Sequence, residues 1–333
     1  MLSRVANNLY WMARYIERAE NLARLIDVNL QLRIDTRAPG AEAERQFWMP
    51  LILSTGDESR FSDLYPTPNL RTVTEFLSVN EKNPNGIRPS IAQARENARM
   101  VRDQITDELW EEINSLHLFL KGSQAESMRI HAPEDYYRRV LHSSYLIQGL
   151  IGATHERGET WQFLQLGRFL ERADKTTRIL DIEAYSETEQ PEALRSLQAA
   201  AVLRSCSAYT AYRNRMQAEA EPAEVARFLL FAQSFPRSVA FCAQQIDDAL
   251  HRISGSAPGS VTNEAERLSG RVMADMTYGR LEDVLAVGLH EYLDQIQRKF
   301  NEIGEALFKE FILYTPPTLE ESIAYQIQQQ IQQ

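Results

Sequence analysis

Apolar residues near the start of the chain recur every three or four positions, the spacing of one face of an α-helix. In the first 34 residues they are Val5, Leu9, Met12, Ile16, Ala19, Ala23 and Ile26. Similar spacing returns between most of the later prolines and glycines, whereas the strict alternation typical of a half-buried strand is almost absent. The sequence therefore predicts an all-α fold, a helical bundle with essentially no strands.

Prolines, glycines and capping residues divide the chain into predicted helices. The predicted helices cover residues 3–34, 42–54, 70–79, 90–121, 133–153, 159–185, 191–220 and 263–314, with two more that begin at Pro222 and Pro236. The stretch 56–69, which contains Pro66 and Pro68, is predicted to be a loop. Asn263, with Glu266 three residues later, resembles a capping box.

Composition limits the class of protein further. The 333 residues carry a formal net charge of −10, which disfavours general binding to nucleic acid. No apolar run approaches the roughly 18 residues that span a bilayer, and the first residues lack a signal-peptide core, so we expect no membrane association and a cytoplasmic location. Cys206 and Cys242 are expected to be small core residues rather than a disulfide or a metal site.

Two segments repeat each other without gaps at an offset of 154 residues. They are WMARYIERAENLARLIDV, from Trp11 to Val28, and QLGRFLERADKTTRILDI, from Gln165 to Ile182. Six pairs of positions are identical: Arg14/Arg168, Glu17/Glu171, Arg18/Arg172, Ala19/Ala173, Arg24/Arg178 and Asp27/Asp181. The apolar positions have drifted among equivalent residues, so the polar side of the two predicted helices is the more constant one.

A weaker echo follows each segment in the same order. Phe76-Leu77 precedes Arg88-Pro89-Ser90-Ile91, and Phe228-Leu229 precedes Pro236-Arg237-Ser238-Val239 with four fewer residues between. This order favours a pseudo-twofold internal duplication over a solenoid, whose repeats are shorter. We predict a single all-α domain over 1–315 with two divergent halves, about 1–150 and 151–315, and a Pro/Gln-rich C-terminal tail over 316–333.

The identical polar groups lie on the helix side roughly opposite the apolar face. Exposed pairs such as Arg14 and Glu17 stabilise a helix by only about 0.2–0.5 kcal/mol, so a solvated face gives little reason for them to stay identical. Two interpretations remain open. The groups form a buried Arg–Glu network that holds the structure together, or they form a ligand or catalytic site.

These segments resemble the bacterial alpha-E domain family, over residues 1 to about 315. The matching pieces are Met1-Leu2-Ser3-Arg4-Val5-Ala6, YWMARYIERAENLARLID, Ala94-Arg95-Glu96-Asn97-Ala98-Arg99, Glu108-Leu109-Trp110-Glu111, LGRFLERADKTTRILD and Phe235-Pro236-Arg237-Ser238-Val239. The resemblance implies a helical protein that accompanies a circularly permuted ATP-grasp protein in peptide ligation or peptide modification. It also implies a transglutaminase-like peptidase as a further partner, and it brings no catalytic residues with it.

Metal and nucleotide sites do not fit the sequence. Di-iron bundles need Glu-x-x-His, which the chain lacks, and His155-Glu156 is followed by Glu159 where a zincin would have histidine. Arg18 and Arg172, beside the motif glutamates, would also repel a cation. Gly149, Gly152 and Gly158 lie in helical sequence and do not form a phosphate-binding loop. We therefore expect no metal and no cofactor.

Anion recognition is the remaining chemistry, because arginine forks bind carboxylates and phosphates. The candidate binding residues are Arg14, Arg18, Arg95, Asn97, Arg99, Arg168, Arg172 and Arg237. The main hypothesis is an accessory or substrate-binding protein that acts on a peptide with the ATP-grasp ligase. The alternative is an enzyme that transfers or cyclises an activated carboxylate, with Glu17 or Glu171 as the general base.

Overall fold

The computed structural model describes residues 1–36, 40–182 and 192–313. Within these ranges the chain forms sixteen α-helices and no strand, so the all-α prediction is confirmed. The tail predicted over 316–333 lies outside the described residues. The helices are α1 (Ser3–Thr36), α2 (Ala41–Thr55), α3 (Glu58–Leu64), α4 (Leu70–Ser78), α5 (Ile87–Met100), α6 (Asp107–Lys121), α7 (Ser123–His131), α8 (Pro133–Thr154), α9 (Glu159–Asp181), α10 (Glu192–Ser205), α11 (Tyr209–Met216), α12 (Pro222–Phe231), α13 (Val239–Ser254), α14 (Glu264–Tyr278), α15 (Leu281–Val287) and α16 (Leu289–Leu307).

The two helices that carry the repeated motif, α1 and α9, pack directly against each other at the centre of the bundle. They run parallel. The amino group of Met1 donates to Glu159 Oε2 (2.8 Å) at their first residues, and the Tyr10 carbonyl faces Gly167 further along. Helix α5 packs along α1, and α13 packs along α9. The motif side chains therefore meet between two central helices that are covered by other helices.

The apolar face predicted for α1 is buried. Leu9, Met12, Ile16, Ala23 and Ile26 are all completely inaccessible to solvent. Burial of each of the larger side chains contributes roughly 1.5–3 kcal/mol relative to exposure. This face anchors α1 in the core, whereas the polar side of the same helix lies against α9.

Gly167 sets how closely α1 and α9 approach. A Cβ atom built on Gly167 would lie 2.1 Å from the carbonyl oxygen of Tyr10 and 3.1 Å from Ala13 Cβ. Backbone cannot yield as a flexible side chain can, so a larger residue at this position would push the two helices apart. The close approach brings the polar groups of both helices within hydrogen-bond distance.

The long helix predicted over 90–121 is wrong, because the structure breaks it between Met100 and Asp107. The Thr106 hydroxyl accepts a hydrogen bond from the Leu109 amide and starts α6. Thr106 is followed by Asp107 and Glu108, whose charges favour a helix N-terminus. This capping signal was present in the sequence and outweighs the continuous apolar spacing.

Three other boundaries also differ from the prediction. The predicted loop 56–69 contains the short helix α3, which follows Asp57. The predicted helix 191–220 is divided near Ser207, whose φ of 52° is left-handed. The predicted helix 263–314 is broken at Gly279 and again at Gly288, where φ is 100°. A left-handed residue ends a helix, and glycine adopts that conformation at little cost.

The turns before α5 and α13 share one backbone pattern at an offset of 152 residues. In the first turn the Asn83 amide donates to the Asn80 carbonyl, and the Gly86 amide donates to the Asn83 carbonyl. The second turn has the same two bonds, from Phe235 and from Ser238. The sequence comparison paired residues 88–91 with residues 236–239, which required a four-residue gap, and this pairing is wrong. The two turns align without a gap, so Asn85 corresponds to Arg237. The internal duplication itself stays a prediction.

Candidate functional site

Glu17 of α1 is completely buried and is held by two arginines from outside its own helix. Arg172 of α9 donates from Nε to Glu17 Oε1 and from Nη2 to Glu17 Oε2, both at 2.8 Å. Arg237, in the turn before α13, donates from Nη1 to Glu17 Oε1 at 3.0 Å. Such fork-to-carboxylate pairing is among the strongest hydrogen bonding that side chains form.

Glu171 of α9 forms the reciprocal arrangement with α1. It is also completely buried, and Arg18 donates to its two oxygens from Nε (2.6 Å) and Nη2 (3.0 Å). Arg14 adds a bond from Nε to Glu171 Oε2 at 2.8 Å. Each Glu-Arg pair of one motif is thus bonded to the Glu-Arg pair of the other. We call Glu17, Glu171, Arg14, Arg18, Arg172 and Arg237 the Glu–Arg cluster.

Both carboxylates of the Glu–Arg cluster are kept ionised. Burial alone raises the pKa of Glu17, but the positive charges of Arg172 and Arg237 outweigh it and lower the pKa to about 2. Burial likewise raises the pKa of Glu171, and Arg18 and Arg14 hold it well below the usual range of a carboxyl group. A buried ion pair has to be compensated in this way, because an unpaired buried charge is very costly.

The third nitrogen of each reciprocal arginine holds the turn before a neighbouring helix. Arg18 Nη1 donates to Asn85 Oδ1 (2.8 Å) before α5, and Arg172 Nη1 donates to the Pro236 carbonyl (3.3 Å) before α13. Asn85 in turn donates to both carboxylate oxygens of Asp57, at 3.0 and 3.1 Å. The cluster therefore fixes four helices, α1, α5, α9 and α13.

A second pair of carboxylates extends the cluster on either side. Glu20 is buried and accepts hydrogen bonds from Arg24 and Arg237. Asp174 is buried and accepts from Arg178 Nε, at 2.9 Å to each oxygen. Glu20 and Asp174 occupy corresponding positions of the two motifs.

Arg168 departs from this pattern. It corresponds to Arg14, but its Nε is buried without a hydrogen-bond partner, whereas Arg14 is bonded to Glu171. Burial and the charges of Arg172 and Arg237 lower the pKa of Arg168 to about 10. The sequence analysis placed Arg168 among the candidate binding residues. The structure places it beside the cluster, and it forms no ion pair within the described part of the chain.

The predicted residues of α5 lie apart from these contacts. Arg95 donates to Asn114 Oδ1 (2.8 Å) and to Glu96 Oε1 (2.6 Å), and Arg99 donates to Glu96 Oε2 (2.9 Å). Asn97 lies half-buried on the same helix. None of these bonds reaches the Glu–Arg cluster, so the structure brings Arg14, Arg18, Arg172 and Arg237 together but not the arginines of α5.

A cleft of about 490 Å³ opens beside the cluster, between α1, α9 and α16. Its lining combines aromatic and charged side chains. They are Tyr10, Trp11, Arg14, Leu170, Asp174, Phe300, Asn301, Gly304, Glu305, Phe308 and Lys309. We call it the Arg14 cleft, because Arg14 is the one lining residue that also belongs to the Glu–Arg cluster.

Arg14 is fixed in this cleft from several sides. Its Nε bonds Glu171, its Nη1 donates to the Tyr10 hydroxyl (2.9 Å), and its guanidinium carbon lies 5.1 Å from the centroid of the Trp11 ring. Burial lowers the pKa of Arg14, but interactions with Tyr10 and with the Glu171 carboxylate more than offset this, so the net shift is upward. The group stays positive and preorganised, with 18% of its side chain exposed.

Sequence reasoning missed several residues of the site. Phe300 of α16 reaches the cleft from far along the chain, as do Phe308 and Lys309 in the π-helical turn Phe308–Ile312 that follows α16, and no motif marks them. Asn85 and Asp57 were missed because their hydrogen bonds, to Arg18 and to each other, join positions that are distant in sequence. Proximity of distant segments leaves no local pattern in a single sequence.

The chemistry of the site favours binding over proton transfer. A general base needs access to the substrate proton and a pKa near the working pH. Glu17 and Glu171 have neither, since both are fully buried and ionised by arginine. The carboxylates of the cluster are likewise occupied by guanidinium groups, and the described residues hold no group of three or more His, Cys, Asp or Glu suited to a metal ion.

The fold and the site define a class of all-α protein in which two parallel helices form reciprocal Glu–Arg ion pairs in the core. The family model Alpha-E, described as a predicted alpha-helical domain with a conserved ER motif, matches residues 1–312. The chain belongs to this family. Glu17-Arg18 and Glu171-Arg172 are Glu-Arg pairs of this sequence, and they form the centre of the cluster.

Relatives are found in mycobacteria. The chain is 24% identical over 328 residues to the uncharacterized protein Mb2597 of Mycobacterium bovis, covering 91% of this chain and 36% of the relative. It is 23% identical to the uncharacterized protein Rv2567 of Mycobacterium tuberculosis, with the same coverage. The chain thus spans about a third of the length of these relatives. No solved structure matches the chain. Among the described residues, no helix has the length and apolar character needed to cross a bilayer.

Proposed function

We propose that this protein is an accessory, substrate-binding subunit that works in the cytoplasm with a circularly permuted ATP-grasp ligase in peptide ligation or peptide modification. The observation that carries the proposal is the Arg14 cleft, in which a fixed guanidinium group lies among aromatic side chains. A peptide carboxylate would pair with Arg14, and an apolar side chain would pack on Trp11 and Phe308.

The burial of Glu17 and Glu171 supports a binding role over catalysis by either residue. The alternative, an enzyme with one of these glutamates as general base, requires a carboxylate that a substrate can reach. Neither residue lines the Arg14 cleft. A ligase partner would supply the activation of the carboxylate, which agrees with the lack of a glycine-rich phosphate loop in the sequence.

The length of the relatives also supports a function shared with other protein components. In the mycobacterial proteins the matched region is 36% of the chain, so most of each relative is sequence outside it. A helical unit that is joined to other sequence in these relatives is suited to a function that it shares with other protein components. The ligase and a transglutaminase-like peptidase are the partners we propose, with a peptide as the substrate.

Reconstitution with a circularly permuted ATP-grasp ligase tests the proposal. We expect product to depend on this chain and to fall at least tenfold with Lys309→Glu, which places a negative charge at the edge of the cleft. The matched control is Lys82→Glu, since Lys82 is exposed in the turn before α5 and lines none of the cleft. Full product from the ligase alone would overturn the proposal.

A further inference from the structure

His251 lies in the last turn of α13, where both of its ring nitrogens face carbonyl oxygens. The residue is buried, with 5% of its surface exposed. Nδ1 lies 2.9 Å from the Asp247 carbonyl oxygen, and Nε2 lies 3.0 Å from the Ser260 carbonyl oxygen. A neutral imidazole carries a single N–H, so one of these contacts would set a nitrogen lone pair against an oxygen. Only the doubly protonated imidazolium donates a hydrogen bond at both positions.

The carboxylate of Asp247 also favours the imidazolium. Its Oδ2 lies 3.5 Å from His251 Nδ1, and Asp247 is itself buried. Within the described ranges no lysine or arginine pairs with this carboxylate, and its other partner is the neutral hydroxyl of Ser269, which donates to Oδ1 at 2.6 Å. A buried carboxylate needs a counter-charge, and the protonated ring of His251 supplies it.

The other charged group that acts on the ring is acidic as well. It is Glu266 of α14, whereas residues 255–263, which join α13 to α14, contain no charged side chain. Helices α9 and α12 also pack on α13, but among the described residues they give the ring no hydrogen bond or ion pair. Burial lowers the pKa of His251, but the two carbonyl contacts and the nearby carboxylates outweigh it, so the pKa lies above the ordinary 6.5.

The bond to Ser260 ties an exposed loop to the helix beneath it. We call residues 255–263 the 255–263 loop, and most of them are exposed. The Glu266 carboxylate holds the two ends of the loop, since it accepts hydrogen bonds from the Ser256 hydroxyl and from the Thr262 amide, both at 2.7 Å. His251 holds the loop between these ends.

We propose that His251 is a proton-dependent latch, in which the imidazolium holds the 255–263 loop against α13 and loss of a proton releases the loop. In the neutral ring one of the two carbonyl contacts becomes repulsive. The Asp247 carbonyl is fixed within the helix, so the Ser260 contact is the one that gives way. The latch does not depend on the proposed function, because no residue of the loop lines the Arg14 cleft.

The direction of the switch follows from the raised pKa. When the loop opens, water reaches the ring and the pKa of His251 returns towards 6.5, so the closed loop binds the proton more tightly than the open one. The latch is therefore closed below pH 6.5, and it opens as the pH rises through the higher pKa of the closed state.

Amide hydrogen exchange of the full chain, normalised for the intrinsic chemical rate at each pH, tests the latch. Protection of the Ser260 and Thr262 amides should fall about tenfold between about pH 6 and about pH 9. The Glu266 carboxylate does not cause this change, because its pKa is about 2 and it stays ionised throughout. Protection that is the same at both pH values would overturn the proposal.

Three variants assign the change to the ring. His251→Gln removes the titrating group, so the loop should be weakly protected at both pH values, with no step between them. His142→Gln is the matched control, at an exposed position on α8, and should keep the step of the parent. Asp247→Asn removes the counter-charge but keeps both carbonyls, so the midpoint of the step should move to lower pH. A step that persists in His251→Gln would contradict the latch.

The protonation state of the parent gives a readout that requires no variant to fold. In ¹⁵N spectra of the histidine-labelled chain, both ring nitrogens of His251 should be protonated at about pH 6. One of them should lose its proton over the pH range in which the loop loses protection. A ring that is already neutral at about pH 6 would rule out the latch.

Discussion

At the scale of single residues, the environment decides which identical motif positions are equivalent in function. Glu17 and Glu171 are both buried, ionised and bonded to arginines of the facing helix. Arg14 and Arg168 are identical in the motif but not in role, since only Arg14 has a carboxylate partner. The additional arginine bond to Glu17 comes from Arg237, a residue outside the motif.

The two cysteines give a prediction at this scale. Cys206 and Cys242 are buried free thiols, and burial raises the pKa of each to about 12. The thiolate is the reactive form, so both should react with Ellman's reagent only when the chain unfolds. Native protein should therefore release almost no chromophore, and protein in urea should release two equivalents. Rapid reaction in the native state would contradict the described burial.

Acid stability gives a second prediction, centred on Glu266. Its carboxylate accepts hydrogen bonds from Ser254, Ser256 and the Thr262 amide, so the expected capping box is altered: Asn263 caps the Glu266 amide, but Glu266 bonds Thr262. Burial raises the pKa of Glu266, and these hydrogen bonds lower it to about 2, below the ordinary 4.5.

The sign of the effect follows from this depressed pKa. The stabilisation by Glu266 is complete above pH 4.5 and is lost as the pH falls from 4.5 towards 2, because protons bind the unfolded chain first. Urea unfolding at pH 7 and pH 3 should show a smaller acid-induced loss for Glu266→Gln than for the parent. Glu282→Gln, at an exposed position on α15, should match the parent.

At the scale of elements, the close contact of α1 with α9 decides where the polar groups meet. Gly167 allows this contact, because a Cβ there would lie 2.1 Å from the Tyr10 carbonyl oxygen. The turns before α5 and α13 then complete the cluster through Asn85 and Arg237. Helix packing and turn geometry together turn two charged helix faces into one buried network.

Alanine substitution of glycines tests this packing. Gly167→Ala should destabilise the protein by about 2 kcal/mol or more, because backbone must move to admit the methyl group. Gly149→Ala and Gly152→Ala are matched controls within α8, since a Cβ at either position meets nothing within 4 Å. Each control should instead stabilise by about 0.5–1 kcal/mol. Urea unfolding of the three variants measures these changes in the free energy of unfolding. Equal changes in all three would contradict the tight packing at Gly167.

The sequence predicted elements better than it predicted their ends. The apolar face of α1 and the prolines that open α8 and α12 came from local patterns, and these were confirmed. The break at Thr106 and the left-handed Ser207 were not predicted, since continuous apolar spacing masked them. The burial of the motif glutamates could only be posed as one of two alternatives, because helical periodicity does not show what covers a polar face.

At the scale of the whole molecule, the Glu–Arg cluster joins the two predicted halves of the chain. Helix α1 and its neighbour α5 belong to the first half, and α9 and α13 belong to the second. Every carboxylate–arginine bond of Glu17 and Glu171 crosses between these halves. The paired motifs in the sequence suggested the duplication. Only the structure shows that the glutamate of each motif pairs with the arginine of the other motif.

The central claim is that the Glu–Arg cluster holds the two halves together rather than carrying out chemistry. The free energy of unfolding of Glu17→Gln and Glu171→Gln, from urea titration, tests this claim most directly. We predict that each variant loses about 3–5 kcal/mol, because it leaves buried arginines without a full charge partner. Glu302→Gln, at an exposed position on α16, should lose less than about 0.5 kcal/mol. Cluster variants as stable as this control would contradict the claim.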